Sequence, residues 1–322
     1  MKNLFVSDLK EGLSLFEEDF AIKNMRKAVT KNGKPYLDLE LSDRTGSLKA
    51  KVWSEYLPKV GDVKVGGVYS FDGTIQNDAF GKQANIIKAV SVDNPDLSLF
   101  VPKSKNNPVE MQTAFEKYAN SIKNKHLSKL VWDVLDAEIY PKYLKSPAAY
   151  YIHHAYENGL LEHTLDMLKM SESVKDRYPK INYDLLLTGI IFHDLGKVFE
   201  YSLGTSIDVT REGKLLGHIY MGAEYVKTHA DKSIPEDLLM EVIHLILSHQ
   251  GELEFGSPIK PKTTEAVALY YLDNTSTKIN AAYNVIQSLD NETEFAPYHK
   301  QLGVELYNSP YLNELVNEDL PF

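Results

Sequence analysis

The segment with the clearest chemical content covers residues 185–197, where the apolar run LLLTGIIF ends in adjacent His193 and Asp194. Neighbouring residues on a helix point about 100° apart, so this pair cannot both face a uniformly apolar core. An ionised aspartate is almost never buried without a counter-charge, and a metal ion would supply one. Taken alone, a His-Asp pair is weak evidence for a metal site.

Further imidazole and carboxylate groups stand singly in other apolar stretches of helical spacing. Each of them alone would more often be a core residue with a satisfied hydrogen bond. Several in one helical region are harder to explain that way, because each would need its own buried partner. These residues are His163, His218, His249 and Asp273.

Composition limits what such a site can contain. The chain has no cysteine, so disulfides and thiolate ligands are excluded, and any transition metal must be held by His, Asp and Glu. Its 322 residues suffice for two domains. No apolar run approaches the roughly 20 residues that span a bilayer, and the N-terminus lacks a signal-peptide core. We therefore expect a cytoplasmic protein without membrane association.

Charge is distributed unevenly along the chain. The first hundred residues carry 14 basic and 14 acidic side chains, so the net charge of −10 belongs to the remainder. An acidic region is a poor general binder of nucleic acid, because backbone affinity comes from Lys and Arg. Bound divalent cations would offset part of that charge. Bulk charge thus neither favours nor excludes a phosphate-bearing substrate.

The elements that would position these residues fall into two classes. Apolar and polar residues alternate in the first hundred residues, which predicts strands, and turn residues at 43–46 predict a hairpin. Five strands in about 90 residues predict a small barrel or sandwich. The predicted strands cover residues 20–28, 36–41, 48–53, 68–75 and 84–92.

The hairpin sequence YLDLELSDRTGSLKAKVW resembles the central hairpin of nucleic-acid-binding OB-folds, and the likeness extends over about residues 10–92. An OB-fold implies a groove that binds a single strand through basic and stacking side chains. The alternative is a barrel that serves only assembly, with its aromatic residues in the core. The candidate binding residues are Tyr36, Lys49, Lys51, Trp53 and Phe80.

Beyond residue 93 the pattern changes. A polar, proline-containing stretch at 94–108 predicts a linker, and residues 109–322 carry apolar residues at helical spacing. We therefore predict a multidomain protein, with an N-terminal all-β OB-fold barrel at 1–93 and a C-terminal all-α domain. Predicted helices cover residues 109–122, 126–137, 160–177, 183–193, 217–229, 235–248 and 263–286.

The order H…HD…H…H…D in the helical region resembles the signature of HD-domain metal-dependent phosphohydrolases. The flanks GLLEHT, FHDLGKV, LLGHI and SHxG resemble those of the YhaM-type 3′→5′ exoribonucleases, a family that joins an OB-fold to an HD domain. The resemblance covers about residues 5–310. It implies a phosphodiesterase that removes nucleoside 5′-monophosphates from the 3′ end of RNA.

The resemblance also implies how the ligands divide between two ions. Nitrogen and carboxylate ligands without sulfur suit manganese, iron, cobalt or zinc, and we expect manganese. Ions about 3.5–4 Å apart would activate a water and stabilise both sides of an in-line displacement at phosphorus. One ion would be held by His163, His193, Asp194 and Asp273, and the second by His218 and His249, with Asp194 bridging.

Other residues are assigned roles around this centre. Lys197, about one turn after Asp194, is expected to neutralise charge on the phosphoryl oxygens, although a solvated lysine at a helix end is the alternative. The resemblance implies that His153 and His154 line the substrate channel, the alternative being that one of them is simply exposed.

Two positions depart from the family pattern. Gln250 follows His249 where relatives often carry a second histidine, which puts a third metal or an additional phosphate contact in doubt. Ser276 stands where relatives commonly carry aspartate. We expect this serine to loosen the support behind the ligands.

Three functions are compatible with these features. A 3′→5′ exoribonuclease is favoured, because a small nucleotide or cyclic dinucleotide, the substrate of a second kind of HD enzyme, needs no strand-binding barrel. A nucleic-acid-binding protein with a relic HD domain would have lost ligands, and all six are retained. We therefore expect single-stranded RNA as the substrate, and leave single-stranded DNA and assembly into a homo-oligomer open.

Overall fold

The computed structural model describes residues 2–78, 81–149, 155–205, 207–290, 292–300 and 302–310. Within these ranges the chain forms an N-terminal β-barrel followed by a helical region. No helix in the described ranges is both long enough and apolar enough to cross a membrane.

The barrel contains five strands in the closed order β1-β2-β3-β5-β4, with β1 paired to β4. All pairs are antiparallel except β3 with β5. This small Greek-key barrel is the OB-fold arrangement, which confirms the predicted fold class. The strands are β1 (Ser14–Val29), β2 (Pro35–Asp43), β3 (Gly46–Val52), β4 (Val68–Asp78) and β5 (Gly81–Ser91), with helix α1 (Leu57–Val60) between β3 and β4.

The core of the barrel follows from the two-residue period of its strands. Leu37, Leu39 and Leu41 of β2 are buried together with Leu48 and Ala50 of β3. Successive side chains on a strand point to opposite faces, so the intervening residues of the same two strands lie on the outer surface. The hairpin therefore presents a row of polar and aromatic side chains outside the barrel.

The segment predicted as a linker packs against the barrel. A 3₁₀ turn at Leu97–Leu99 leads to Phe100, which is buried against Ala21 and Val68. Asn107 then caps the first long helix by accepting a hydrogen bond from the Val109 amide. Farther along, the Thr205 hydroxyl donates to the Gly66 carbonyl oxygen at 2.7 Å, so the helical region also contacts the barrel directly.

The helical region surrounds one apolar helix, α6, whose residues 185–192 are all buried. A helix that is apolar on all sides is stable only inside a core. It contacts α5, α9 and α10, and its C-terminal end carries His193 and Asp194 to the centre of the domain. The helices are α2 (Pro108–Asn120), α3 (Lys125–Val134), α4 (Ile139–Lys145), α5 (Gly159–Arg177), α6 (Tyr183–Phe192), α7 (Lys197–Glu200), α8 (Arg211–His229), α9 (Glu236–Ser248) and α10 (Thr264–Gln287).

Some elements were not predicted from the sequence. Helix α4 has seven residues, and the hairpin of β6 (Tyr201–Leu203) with β7 (Ile207–Val209) has three residues per strand. Segments this short do not display a period. Helix α8 begins at Arg211 rather than at 217, but its backbone breaks at Gly217, where φ is 72°. The predicted start thus coincides with the kink.

Candidate metal centre

The six predicted ligands come from five parts of the helical region and converge on one point. Helix α5 carries His163, the end of α6 carries His193 and Asp194, and α8, the end of α9 and α10 carry the other three. They form two groups in which the ligand atoms lie within 4.8 Å of one another. The first group is His163, His193 and Asp273, and the second is Asp194, His218 and His249.

In the first group the ligand atoms are spaced as they would be around one ion. His163 Nε2 lies 3.3 Å from His193 Nε2 and 3.2 Å from Asp273 Oδ1. Asp194 Oδ2 lies 3.3 Å from His193 Nε2 and 3.8 Å from His163 Nε2. Ligands about 2.1 Å from a shared ion are about 3.0–3.4 Å apart in octahedral or tetrahedral geometry. The observed distances fit a metal after small adjustments.

Asp194 directs its two oxygens to different groups. Whereas Oδ2 faces the first group, Oδ1 lies 3.5 Å from His218 Nε2 and 3.6 Å from His249 Nε2. Asp194 Oδ1 is buried, and no described residue donates a hydrogen bond to it. A buried carboxylate oxygen without a partner is costly, and a cation between it and the two imidazoles would remove that cost. The arrangement fits a bridging carboxylate.

Two of the histidines are oriented by backbone carbonyl groups. His193 Nδ1 lies 2.8 Å from the Ile190 carbonyl oxygen, and His249 Nδ1 lies 2.7 Å from that of Ile246. Both histidines directly follow a helix, and each uses the carbonyl three residues earlier. When Nδ1–H donates to a carbonyl, Nε2 keeps its lone pair and can bind a metal.

The other two histidines are supported by side chains. Ser276 Oγ lies 3.0 Å from His163 Nδ1. The serine that stands where relatives commonly carry aspartate therefore contacts a ligand directly, through a neutral hydroxyl instead of a charged carboxylate. Glu200 Oε2 lies 3.0 Å from His218 Nδ1. Burial raises the pKa of Glu200, but the contact with His218 outweighs it and the pKa is lowered. Glu200 was not predicted from the sequence to take part in the centre.

The protonation states of the centre suit metal binding. Burial raises the pKa of Asp194, but the charges of Lys197 and His193 outweigh it and hold the pKa well below its ordinary value. Burial lowers the pKa of His249 to about 4. Burial also opposes charge on His193, but Asp194 outweighs it and raises that pKa. A metal would therefore meet an ionised carboxylate and a neutral His249, and would compete with a proton at His193.

Lys197 lies at the edge of the centre. Its Nζ is 2.5 Å from Asp194 Oδ2, and its side chain is 12% exposed, so it is a partly buried ion-pair partner and not a solvated lysine. With Asp194, His249 and Asp273 it lines a cavity of about 370 Å³. The other lining residues are Gln250, Phe255, Tyr270, Asn274, Thr277 and Lys278.

Several of these additional residues could have been found from the sequence. Thr277 follows Asp273 by four residues on α10, and Lys278 follows Asn274 by four, so each pair shares a helix face. Phe255 gives no such signal, because it lies in a short 3₁₀ turn at Leu253–Phe255. Gln250 Nε2 lies 3.4 Å from His218 Nε2. The glutamine that stands where relatives often carry a second histidine therefore contacts the centre.

A second cavity, of about 720 Å³, lies on the outer face of the barrel hairpin. Three of the predicted binding residues line it, namely Tyr36, Lys49 and Lys51. Trp53 lies beside it, with its ring centroid 5.4 Å from that of Tyr36 and Lys51 Nζ 5.6 Å from its ring. The remaining lining residues, which were not predicted from the sequence to bind a strand, are Asn24, Arg26, Asp38, Leu39, Glu40, Ser47 and Gln83.

Three candidate residues, Phe80, His153 and His154, lie outside the described residues. The predictions about them stay predictions.

Comparisons with known proteins agree with this architecture. The HD domain family matches residues 160–278. A 3′-5′ exoribonuclease YhaM of Bacillus licheniformis is 32% identical over 320 residues, which cover 93% of this chain and 99% of the relative. The protein of the same name in Listeria monocytogenes is 34% identical over 290 residues, covering 89% and 91%. That of Bacillus subtilis is 34% identical over 267 residues, covering 80% and 83%.

Among solved structures, the second OB-fold domain of replication protein A from Methanococcus maripaludis matches 30% of this chain and 98% of its own, with 20% identity and a TM-score of 0.25.

Proposed function

The chain belongs to the YhaM family of 3′-5′ exoribonucleases, and from this premise we propose that it degrades single-stranded RNA from the 3′ end and releases nucleoside 5′-monophosphates. The observation that carries the proposal is the convergence of six ligands around the two separately directed oxygens of Asp194. The same chain also provides a groove of a size suited to a strand. We place the activity in the cytoplasm, where RNA is turned over.

The HD domain implies a divalent-metal centre, and we propose that it takes two ions, with manganese favoured by the all-nitrogen and oxygen ligand set. Such ions, when bound, activate water and neutralise charge on a phosphoryl group. We assign one ion to His163, His193, Asp194 and Asp273, and the other to His218 and His249, with Asp194 shared between them.

Residues of the chain itself would orient the scissile phosphate. Lys197 borders the cavity and holds its ammonium group beside Asp194, where it can contact a non-bridging phosphoryl oxygen. Lys278 lines the same cavity and adds a second positive charge. Phe255, which is 55% exposed there, offers an aromatic face to the terminal base. The cavity of about 370 Å³ is of the size expected for a terminal nucleotide.

The barrel would hold the strand upstream of the cleaved bond. In OB-folds the face of strands 2 and 3 binds oligonucleotides, and the groove with Tyr36, Lys49 and Lys51 lies on that face. Tyr36 and Trp53 supply neighbouring rings for base stacking. A small nucleotide would not need such a groove, and this favours a polymeric substrate over a cyclic dinucleotide.

The test is incubation of manganese-loaded protein with 5′-labelled single-stranded RNA. We expect a ladder of products that shortens progressively from the 3′ end and disappears when a chelator is added. A parallel reaction with single-stranded DNA measures the preference between the two polymers. Hydrolysis of a cyclic dinucleotide while RNA stays intact would contradict the proposal and favour the small-nucleotide alternative.

A further inference from the structure

His218 is held differently from the other histidines of the centre. Among the described residues it is the one whose Nδ1 faces a carboxylate, at 3.0 Å from Glu200 Oε2. The second oxygen, Glu200 Oε1, accepts a hydrogen bond from the His218 backbone amide at 3.3 Å. The side chains are only 12% and 14% exposed. One carboxylate therefore contacts both the ring and the backbone of a single ligand.

The backbone around His218 explains why a side chain takes this role. His193 and His249 follow unbroken helices and use the carbonyl three residues earlier. His218 directly follows the break at Gly217, where φ is 72°, so it starts a new helical segment. The first amides of a helix have no acceptor within it. Because the helix is broken at Gly217, the carbonyl groups before the break are not placed to accept from the His218 amide or ring. Glu200 supplies an acceptor for the amide through Oε1 and an ion-pair partner for the ring through Oε2, which lies 3.0 Å from Nδ1.

The position of Glu200 is itself closely defined. Its carbonyl oxygen accepts the Thr210 amide at 2.9 Å, which ties the end of α7 to the start of α8. Gly213 of α8 packs so tightly here that a Cβ atom would lie 2.7 Å from the Glu200 carbonyl oxygen and 2.9 Å from its Cγ. The carboxylate therefore has little freedom to leave His218.

We propose that Glu200 is a positioning residue that holds His218 with Nε2 directed at Asp194 Oδ1, and that it thereby sets the affinity of the Asp194–His218–His249 group for its ion. This inference rests on the proposed two-metal centre. A carboxylate beside Nδ1 favours the tautomer that carries its proton there and makes Nε2 a stronger ligand, and losing such a partner typically weakens metal binding by about 10–100-fold.

The test is titration of metal-free, full-length protein with Mn²⁺ alone, followed by calorimetry. Wild type should bind two ions. Glu200→Ala should lower the affinity for one of them by about 10–100-fold and leave the affinity for the other unchanged. Glu200→Gln, whose amide oxygen still accepts a hydrogen bond, should fall between the two. Glu212→Ala is the matched control, because Glu212 is an exposed carboxylate in the first turn of α8, and it should bind as wild type does.

Ser276→Ala probes the opposite half of the centre, because Ser276 contacts His163. It should lower the affinity for the ion whose binding Glu200→Ala leaves unchanged. The double variant Glu200→Ala with Ser276→Ala should then bind both ions more weakly. If both substitutions lower the affinity for the same ion, Glu200 does not act through the Asp194–His218–His249 group and the inference is wrong.

A spectroscopic readout separates positioning from a loss of structure. In metal-free wild type, ¹⁵N NMR should show His218 protonated at Nδ1, and Glu200→Ala should mix the two tautomers without changing His193. If Glu200→Ala does not fold, Glu200→Gln carries both measurements. Two ions of unchanged affinity in both Glu200 variants would overturn this inference and leave the two-metal centre standing. A wild type that binds fewer than two Mn²⁺ ions would overturn the centre and the inference together.

Discussion

Replacement of Lys49 and Lys51 by alanine tests whether the barrel groove binds the RNA backbone. Both lysines line the groove, and neither takes part in an ion pair among the described residues, although Lys51 Nζ lies 5.6 Å from the Trp53 ring. By contrast, Arg26 in the same groove is already paired with Asp38 at 3.1 Å. These two lysines, which have no carboxylate partner, are therefore the charges most available to phosphates.

The size of the effect follows from counterion release. Each phosphate contact with a single strand contributes about 0.7 to the slope of log affinity against log salt concentration. Losing two contacts should lower that slope by about 1.4. Between 50 and 200 mM salt, wild type should consequently lose about seven times more affinity than the double variant does.

The assay is fluorescence anisotropy with a labelled single-stranded RNA in the presence of Ca²⁺ in place of Mn²⁺, at several salt concentrations. The matched control is Lys59→Ala with Lys64→Ala, which removes the same charge from exposed barrel positions outside the groove. Turnover of a small activated phosphodiester, measured with Mn²⁺, should be equal in all three proteins because the groove is separate from the centre.

Parallel salt dependence in wild type and in the groove variant would refute the reasoning. The barrel would then be an assembly module, as the alternative interpretation of its sequence holds.

Three further predictions concern the helical domain. Asp194→Ala should lose both ions and all activity, because its two oxygens face separate ligand groups, and full metal content by elemental analysis would contradict the assignment. Lys197→Ala should keep its metal but lower kcat by about 10²–10³-fold, as expected for a group that stabilises transition-state charge, and an unchanged kcat would exclude that role. Phe192→Ala should lower the free energy of unfolding by about 3–5 kcal/mol in urea denaturation, because this side chain is fully buried beside the centre; a loss below 1 kcal/mol would show that the core there collapses around the cavity.

Much of the fold could be predicted from the sequence because its periods are strong. Each predicted strand overlaps an observed one, and the change to helical spacing after residue 108 marks where α2 begins. The ligands could also be predicted, because several His and Asp residues in one apolar helical region are harder to explain as core residues than a single one would be. His163 and His249 are 2% and 1% exposed, so these polar side chains are buried as that reasoning requires.

The support behind the ligands could not be predicted from the sequence. Glu200 stands in the ordinary sequence KVFEYS, and nothing there indicates that it contacts His218. Ser276 contacts His163 across 113 positions of the chain. Which nitrogen of each histidine faces the centre, and which oxygen of Asp194 faces which group, are likewise set by these contacts.

The sequence by itself thus determined the two fold classes and the identity of the candidate ligands, because local periodicity and the cost of burying a polar group act residue by residue. Only the tertiary structure decided which oxygen of Asp194 faces which ligand group, how Glu200 and Ser276 contact the histidines, and which lysines of the barrel groove remain without an ion pair. These properties depend on distances between side chains that lie far apart in the chain, and local sequence patterns carry no information about such distances.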